Sequence, residues 1–241
     1  MLKKIILYII LLLSFIGLIY SAYKIVCWCI DNKNTKEQIE TVENYIKQSE
    51  EDDSTIKIDF ASLLEENSEV KGWIQIPNTN VNYPFVQHED NSYYLTHSFD
   101  NSYNNAGWIF LDYRNNITSL DTNTIIYGHG RVDGTMFGSL KDTLTNEWLA
   151  DSNNYKVIIY LPEKTYTFEI FSIYHVTTTD DYLKTKFNSI EEYDKFLKLI
   201  IGRSTYSFET KVENADKIIT LSTCYNDKEK MVVHGKLIIE D

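Results

Sequence analysis

The chain reads as a mostly β domain with one substantial late helix, held behind an N-terminal membrane-spanning helix. Three observations predict this. Runs rich in Val, Ile, Thr, Tyr and Phe recur along the second three-quarters of the chain, separated by Pro, Gly and Asn, the pattern of half-buried and buried strands. A single strong helical periodicity begins at Ser189. Residues 5–23 are uncharged and mostly apolar. With 18 Tyr and 11 Phe against 3 Pro and 9 Gly in 241 residues, the composition belongs to a folded chain with a real core, not to a disordered one.

The N-terminal stretch opens Met1-Leu2-Lys3-Lys4 and continues through 19 uncharged residues, 5–23. As a helix these cover roughly 28 Å, close to the hydrocarbon thickness of a bilayer. A signal peptide usually has a shorter apolar core and a small-x-small cleavage site, and Ser21-Ala22-Tyr23 matches that poorly. An uncleaved anchor over 1–30 is the expectation, with Lys3 and Lys4 keeping the amino terminus cytoplasmic and the rest outside. Residues 1–30 carry three lysines and no acid out of a net charge of −12, so the remainder stands near −15. That acidity argues against nucleic acid as a partner, because phosphate binding needs a basic surface. Cys27 and Cys29 are too close in sequence for a comfortable bridge and receive no role.

Residues 31–55 read as a helical spacer and linker, and 56–241 as the folded domain. Thr35-Lys36-Glu37-Gln38 has capping-box form, with Ile39, Val42, Tyr45 and Ile46 following at helical spacing, so a helix over about 35–50 is predicted. Its acidic tail, Glu50-Glu51-Asp52-Asp53-Ser54, reads as a solvated linker. A short helix around 61–66 leads to a strand over 70–77 that alternates at period two and stops at Pro77-Asn78. A second strand covers 81–87, and Pro84 within it implies an edge or a bulge. Gly107 beside Trp108 implies a close backbone approach before the strand in 106–112. His97, in an aromatic-rich turn, reads as structural.

Thr124-Ile125-Ile126-Tyr127-Gly128-His129-Gly130 is a buried strand ending in a histidine flanked by glycines, which expose the imidazole at a tight turn. Helical turns follow to about residue 150. Runs 155–161 and 165–176 form a hairpin around Pro162-Glu163-Lys164, with His175 near the end of the second strand. Ser189-Ile190-Glu191-Glu192 is a capping box opening a helix that stops at Gly202. The strand over 217–223 runs into Cys224, and 231–239 forms the last strand after a short polar loop.

Cys224 is the one cysteine after residue 29, so no disulfide partner exists within the outer domain. A free thiol is either a small buried hydrophobe or a nucleophile, and a nucleophile needs an imidazole or another cation nearby to reach the thiolate form. Strand ends in a small barrel converge on one rim, where His129 and Cys224 can meet across the ~95 residues between them, as cysteine–histidine enzymes allow. His234 is the competing partner, but it lies within the last strand, where its side chain faces core or solvent rather than the rim. One cysteine with scattered histidines is not a zinc site, and no glycine-rich phosphate loop is present.

Thr220-Leu221-Ser222-Thr223-Cys224 resembles the TLxTC signature of sortases, the membrane-anchored cysteine transpeptidases of Gram-positive bacteria. Tyr127-Gly128-His129 with Asp133-Gly134-Thr135-Met136-Phe137-Gly138-Ser139-Leu140 resembles the histidine segment of class B sortases. Gly72-Trp73-Ile74-Gln75-Ile76-Pro77-Asn78-Thr79, Asp90-Asn91-Ser92-Tyr93-Tyr94-Leu95-Thr96-His97 and the helix before the cysteine strand are similar to the same class. The resemblance spans about 56–241 and implies an eight-stranded β-barrel with the helix inserted before the cysteine strand. It implies Cys224 as nucleophile and His129 as its acid–base partner, with Ser222 and Thr223 lining the peptide groove. It further implies cleavage of a C-terminal sorting motif of secreted proteins and transfer to an amine of a peptidoglycan precursor, with no cofactor and no metal. The family has an arginine at the start of the last strand, where this chain has Lys230; lysine keeps the charge but loses the planar fork. Two other readings remain: a thiol peptidase with water as acceptor, and a non-catalytic tethered peptide-binding domain.

Overall fold

The computed structural model describes residues 2–48, 56–177, 179–224 and 229–240. Its elements run α1 (Leu2–Glu43), β1 (Ile46–Gln48), β2 (Ile56–Ile58), α2 (Phe60–Glu66), β3 (Val70–Gln75), β4 (Asn82–Val86), β5 (Phe110–Leu111), β6 (Asn123–Gly128), α3 (Asn146–Leu149), β7 (Lys156–Tyr160), β8 (Thr165–Thr177), α4 (Ile190–Gly202), β9 (Ile218–Cys224) and β10 (Glu229–Glu240). The last eight strands close into a barrel in the order β10-β8-β7-β3-β4-β5-β6-β9. Most neighbours are antiparallel, but β4–β5 and β6–β9 are parallel. This is the eight-stranded barrel that the sequence resemblance implies.

Local chemistry explains the elements. The β7–β8 hairpin pairs Tyr160 with Thr165 and is closed by the Leu161 N–H donating to the Lys164 carbonyl at 2.8 Å. Ser189 caps α4, its hydroxyl accepting from the Glu192 N–H at 3.2 Å. Pro84 sits in β4 where β5 touches that strand through Val86 alone, so its missing N–H disturbs little of the ladder. The register shift lies in the partner strand, between Val70 and Gly72.

Alternation along β8, β9 and β10 divides the interior. Ile219, Leu221, Met231, Val233, Phe168 and Ile170 join the barrel core. Ile218, Val232, Phe171 and Tyr174 point outward, where α4 covers them with Tyr193, Phe196, Leu197 and Ile200. Fully burying such side chains stabilises by about 1.5–3 kcal/mol each, so the inserted helix is held by its apolar face. Both faces of β9 are therefore buried.

The N-terminal region differs from expectation. α1 is one helix from Leu2 to Glu43, passing without a break through the apolar stretch and the spacer. Thr35 is not a helix start: its hydroxyl donates back to the Asp31 carbonyl at 2.8 Å, and it accepts from Asn104 Nδ2 at 3.0 Å. The Ser/Thr-x-x-Glu/Gln pattern does not act as a cap here because the preceding turn is already helical and Thr35 is buried against the domain. The helix ends at Glu43, and Ile46–Gln48 instead pairs with Ile56–Ile58. The acidic segment 50–54 lies outside the described residues, as does the polar loop 225–228.

Burying the outer face of β9 under α4 obliges its polar side chains to find partners. Asn123 Oδ1 accepts the Thr220 hydroxyl proton at 2.6 Å, while Asn123 Nδ2 donates to the Lys184 carbonyl at 2.9 Å. The Thr220 oxygen must then accept from His234 Nδ1 at 2.9 Å, leaving His234 Nε2 to accept from the Tyr174 hydroxyl at 3.0 Å. This chain of donors fixes His234 as a neutral imidazole. Burial, with a smaller contribution from the nearby Arg203 charge, pushes its pKa down to about 3. A depressed histidine leaves the unfolded state binding the extra proton, so its stabilisation is complete above about pH 6.5 and is lost as pH falls towards 3. Thermal unfolding of the wild type and of His234→Gln, which cannot titrate, is expected to show the stability gap between them closing steadily over that interval. A pH-independent gap would contradict the neutral, buried assignment.

Candidate active site

Three neighbouring strands meet at one rim. β6 and β9 run parallel in strict step from Asn123↔Ile218 to Gly128↔Thr223, so the next residues on the two chains are His129 and Cys224. β9 and β10 are antiparallel with Cys224 directly opposite Lys230 and Thr223 opposite Met231. The backbone thus sets positions 129, 224 and 230 abreast, although they come from distant parts of the chain. Lys230 is half-buried.

The His129 ring is oriented by backbone. Its Nε2 lies 2.8 Å from the Leu95 carbonyl oxygen. A carbonyl accepts only, so Nε2 carries the proton and Nδ1 is the nitrogen that gains and loses one. Gly107 makes this approach feasible. It has φ +61°, and a Cβ there would stand 2.5 Å from the Tyr94 carbonyl oxygen and 2.9 Å from His129 Cδ2. The close approach expected at Gly107 is therefore made against the histidine itself and the turn that holds it.

Alternation separates the two residues before the cysteine. Thr223 faces a cavity of about 310 Å³ that Gly130, Arg131, Phe137, Lys141 and Met231 also line. Ser222 faces the other way, is 2% exposed, and shares a hydrogen bond of 2.9 Å with the Tyr182 hydroxyl.

A sortase-domain family model matches residues 74–238. The chain belongs to the sortase family. Sortase B of Listeria monocytogenes is 37% identical over 187 residues, covering 76% of this chain and 75% of that protein. Sortase B of Staphylococcus aureus is 32% identical over 228 residues, covering 92% of each. A solved Staphylococcus aureus sortase B–substrate complex superposes with a TM-score of 0.69 at 34% identity, covering 74% of this chain and 84% of that one. The protein is a sortase B-like cysteine transpeptidase.

Below the rim of this sortase lies polar machinery that sequence reasoning missed. Arg114 grips Asp112 through Nε and Nη2 at 2.8 and 2.7 Å, and the Tyr127 hydroxyl donates to the same carboxylate at 2.8 Å. Burial works against the Asp112 charge, but the guanidinium, the Arg114 N–H and Tyr127 together hold its pKa below the usual range. Burial and then Asp112 push the Tyr127 hydroxyl well up, so it remains a donor. Tyr127 is the register partner of Ser222, which places this cluster beneath the same strands. Only Leu95, which acts through its carbonyl, left no side-chain signal at all.

The remaining histidines stand elsewhere. His97 bonds the Tyr93 carbonyl at 2.8 Å through Nδ1 and stacks on the Tyr93 ring at 4.0 Å. His175 is exposed near the end of β8, and His234 lies in the outer core described above. Arg131, close to the cavity, is engaged by Asp133, Thr135 and Asn32. The geometry around His129 predicts that ring 15N spectra of this sortase show the Nε2–H tautomer for neutral His129. Gly107→Ala is expected to perturb those signals and leave the His97 pattern in place. An Nδ1–H tautomer in the parent protein would contradict the assignment.

Proposed function

We propose that Cys224 is the nucleophile of this transpeptidase, that His129 is its general acid and base, and that Lys230 stabilises the oxyanion. The observation that carries the reading is the register of β6, β9 and β10, which aligns these three positions at one rim. The Cys224 thiolate attacks the carbonyl carbon of the Thr–X peptide bond in the C-terminal sorting motif of a secreted protein. The electron pair moves to oxygen, and the oxyanion is met by the Lys230 ammonium and nearby N–H groups. His129 Nδ1–H then gives its proton to the leaving amine as the peptide bond breaks, leaving a thioester on Cys224. An amine of a cell-wall precursor attacks that thioester; Nδ1 takes up the amine proton and the thiolate leaves. Thr223 serves the peptide groove through the rim cavity, whereas Ser222, buried against the equally buried Tyr182, stands behind it.

The same reading places the enzyme in a membrane. α1 is long and apolar enough to cross one, with its apolar window fully exposed. Residues 5–23 form the anchor, the amino terminus is cytoplasmic, and the barrel stands outside, where secreted proteins and wall precursors are found.

A panel of fluorogenic sorting-motif peptides, with and without an added amine, tests the proposal. Cys224→Ala is expected to remove cleavage altogether, and an amine adduct in place of the free acid is expected when amine is present. Release of the acid alone at saturating amine would make the enzyme a hydrolase. Lys230→Ala is expected to lower kcat/KM by roughly ten- to a hundred-fold, the size of a charged hydrogen bond of about 1.5–3 kcal/mol. Lys230→Arg supplies a fork with two donors and is expected to retain activity or gain some. Unchanged kcat/KM in Lys230→Ala would remove Lys230 from the site.

A further inference from the structure

Two loops of the barrel grip α1 just beyond its apolar stretch. Asn104 donates to the Asp31 carbonyl at 3.3 Å and to the Thr35 hydroxyl at 3.0 Å, and Asn105 donates to the Asp31 carboxylate at 2.9 Å. From the other side, Arg131 donates to Asn32. The helix is continuous here, so these contacts set the height of the barrel above any membrane that α1 crosses.

That height is small. Residues 5–30 contain a single charge, Lys24, and as a helix they span roughly 39 Å, more than the ~30 Å hydrocarbon core, which favours a tilted helix. Trp28 is 60% exposed and is the kind of residue that settles at the headgroup level. Asn32 is one turn further, about 6 Å along the axis, which is the depth of one headgroup layer.

Each gripping loop also carries a large, mostly exposed side chain. Val132, next to Arg131, is 95% exposed, and Tyr103, next to Asn104, is 66% exposed. Both are rigidly presented. Tyr103 is bridged to His97, whose ring meets it edge-on at 5.9 Å. The Val132 loop is closed by the Gly130↔Met136 bridge and by Arg131 bonding Thr135 at 2.8 Å and Asp133 at 3.0 Å.

We infer that the loops bearing Tyr103 and Val132 form a second membrane contact, both side chains entering the headgroup layer of the bilayer that α1 crosses. The inference rests on the anchor reading of α1 given above. It sets one border of the rim cavity at the bilayer, since Gly130, Arg131 and Val132 line that cavity together with Thr223 and Met231.

The full chain carrying Cys27→Ser, Cys29→Ser and Cys224→Ala, reconstituted into vesicles of phosphatidylcholine and phosphatidylglycerol, tests this. Single cysteines at Val132→Cys, Tyr103→Cys and Glu163→Cys carry an environment-sensitive fluorophore. Glu163 lies in the β7–β8 turn, at the opposite end of the barrel from the rim. Emission at 132 and 103 is expected to shift to the blue and to be quenched by lipids spin-labelled near the headgroup, and emission at 163 to do neither. Val132 is exposed enough that its substitution leaves the fold intact even if the Tyr103 variant does not. Labels at 132 and 103 that behave like the one at 163, on protein that stays with the vesicles through an alkaline wash, would overturn the inference alone. Release of the chain by that wash would overturn the anchor reading and the inference with it.

Discussion

The parallel pairing of β6 with β9 is the constraint on which the rest depends. Parallel neighbours cannot be joined by a tight turn, so the chain makes a long excursion between them, through α3, the β7–β8 hairpin and α4. In return the two strands end side by side, and a histidine and a cysteine separated by most of the domain finish on the same rim. Barrel closure then makes the alignment stiff: a one-residue slip at β6–β9 turns every side chain of β9 to its other face. Ile219 and Leu221 would leave the core and Ser222 would enter it. The hydrophobic pattern therefore enforces the register on which the proposed chemistry depends.

The same strands carry a second requirement on their outer face. α4 buries that face, and burial forces Thr220, Ser222 and His234 into hydrogen bonds with Asn123, Tyr182 and Tyr174. These bonds tie the middle of β9 to β6 on one side and to β8 and β10 on the other. A buried histidine in this molecule is thus a neutral fastener, whereas His129 is held by a backbone carbonyl through Nε2. The difference lies in the partners: hydroxyls on both ring nitrogens of His234, and for His129, among the described residues, the Leu95 carbonyl on Nε2.

Much of this was legible in the sequence because it is written in local patterns. Period-two alternation located β3 and β4, the turn at Pro162-Glu163-Lys164 located the hairpin, and the capping box at Ser189 located α4. The strand ends at His129 and Cys224 could be seen as candidates for one rim, and the resemblance set Lys230, which lies opposite Cys224 in the β9–β10 register, beside them. What escaped depends on tertiary context. Thr35-Lys36-Glu37-Gln38 has the residues of a cap, yet a helix arriving from upstream turns Thr35 into a docking contact. Leu95 orients His129 through a carbonyl that every residue possesses. Tyr182 and Asp112 meet Ser222 and Tyr127 across strands and loops, and no spacing announces such a meeting.

The most direct test of the shared rim is the rate at which Cys224 is alkylated as a function of pH, in full-length protein with Cys27→Ser and Cys29→Ser. If His129 and Lys230 stand beside the thiol, removing either cation alters its thiolate population. The pH profile is then expected to shift in His129→Ala and in Lys230→Ala and to stay in place in His97→Ala. Identical profiles in all of these proteins would contradict the alignment of the three positions at one site.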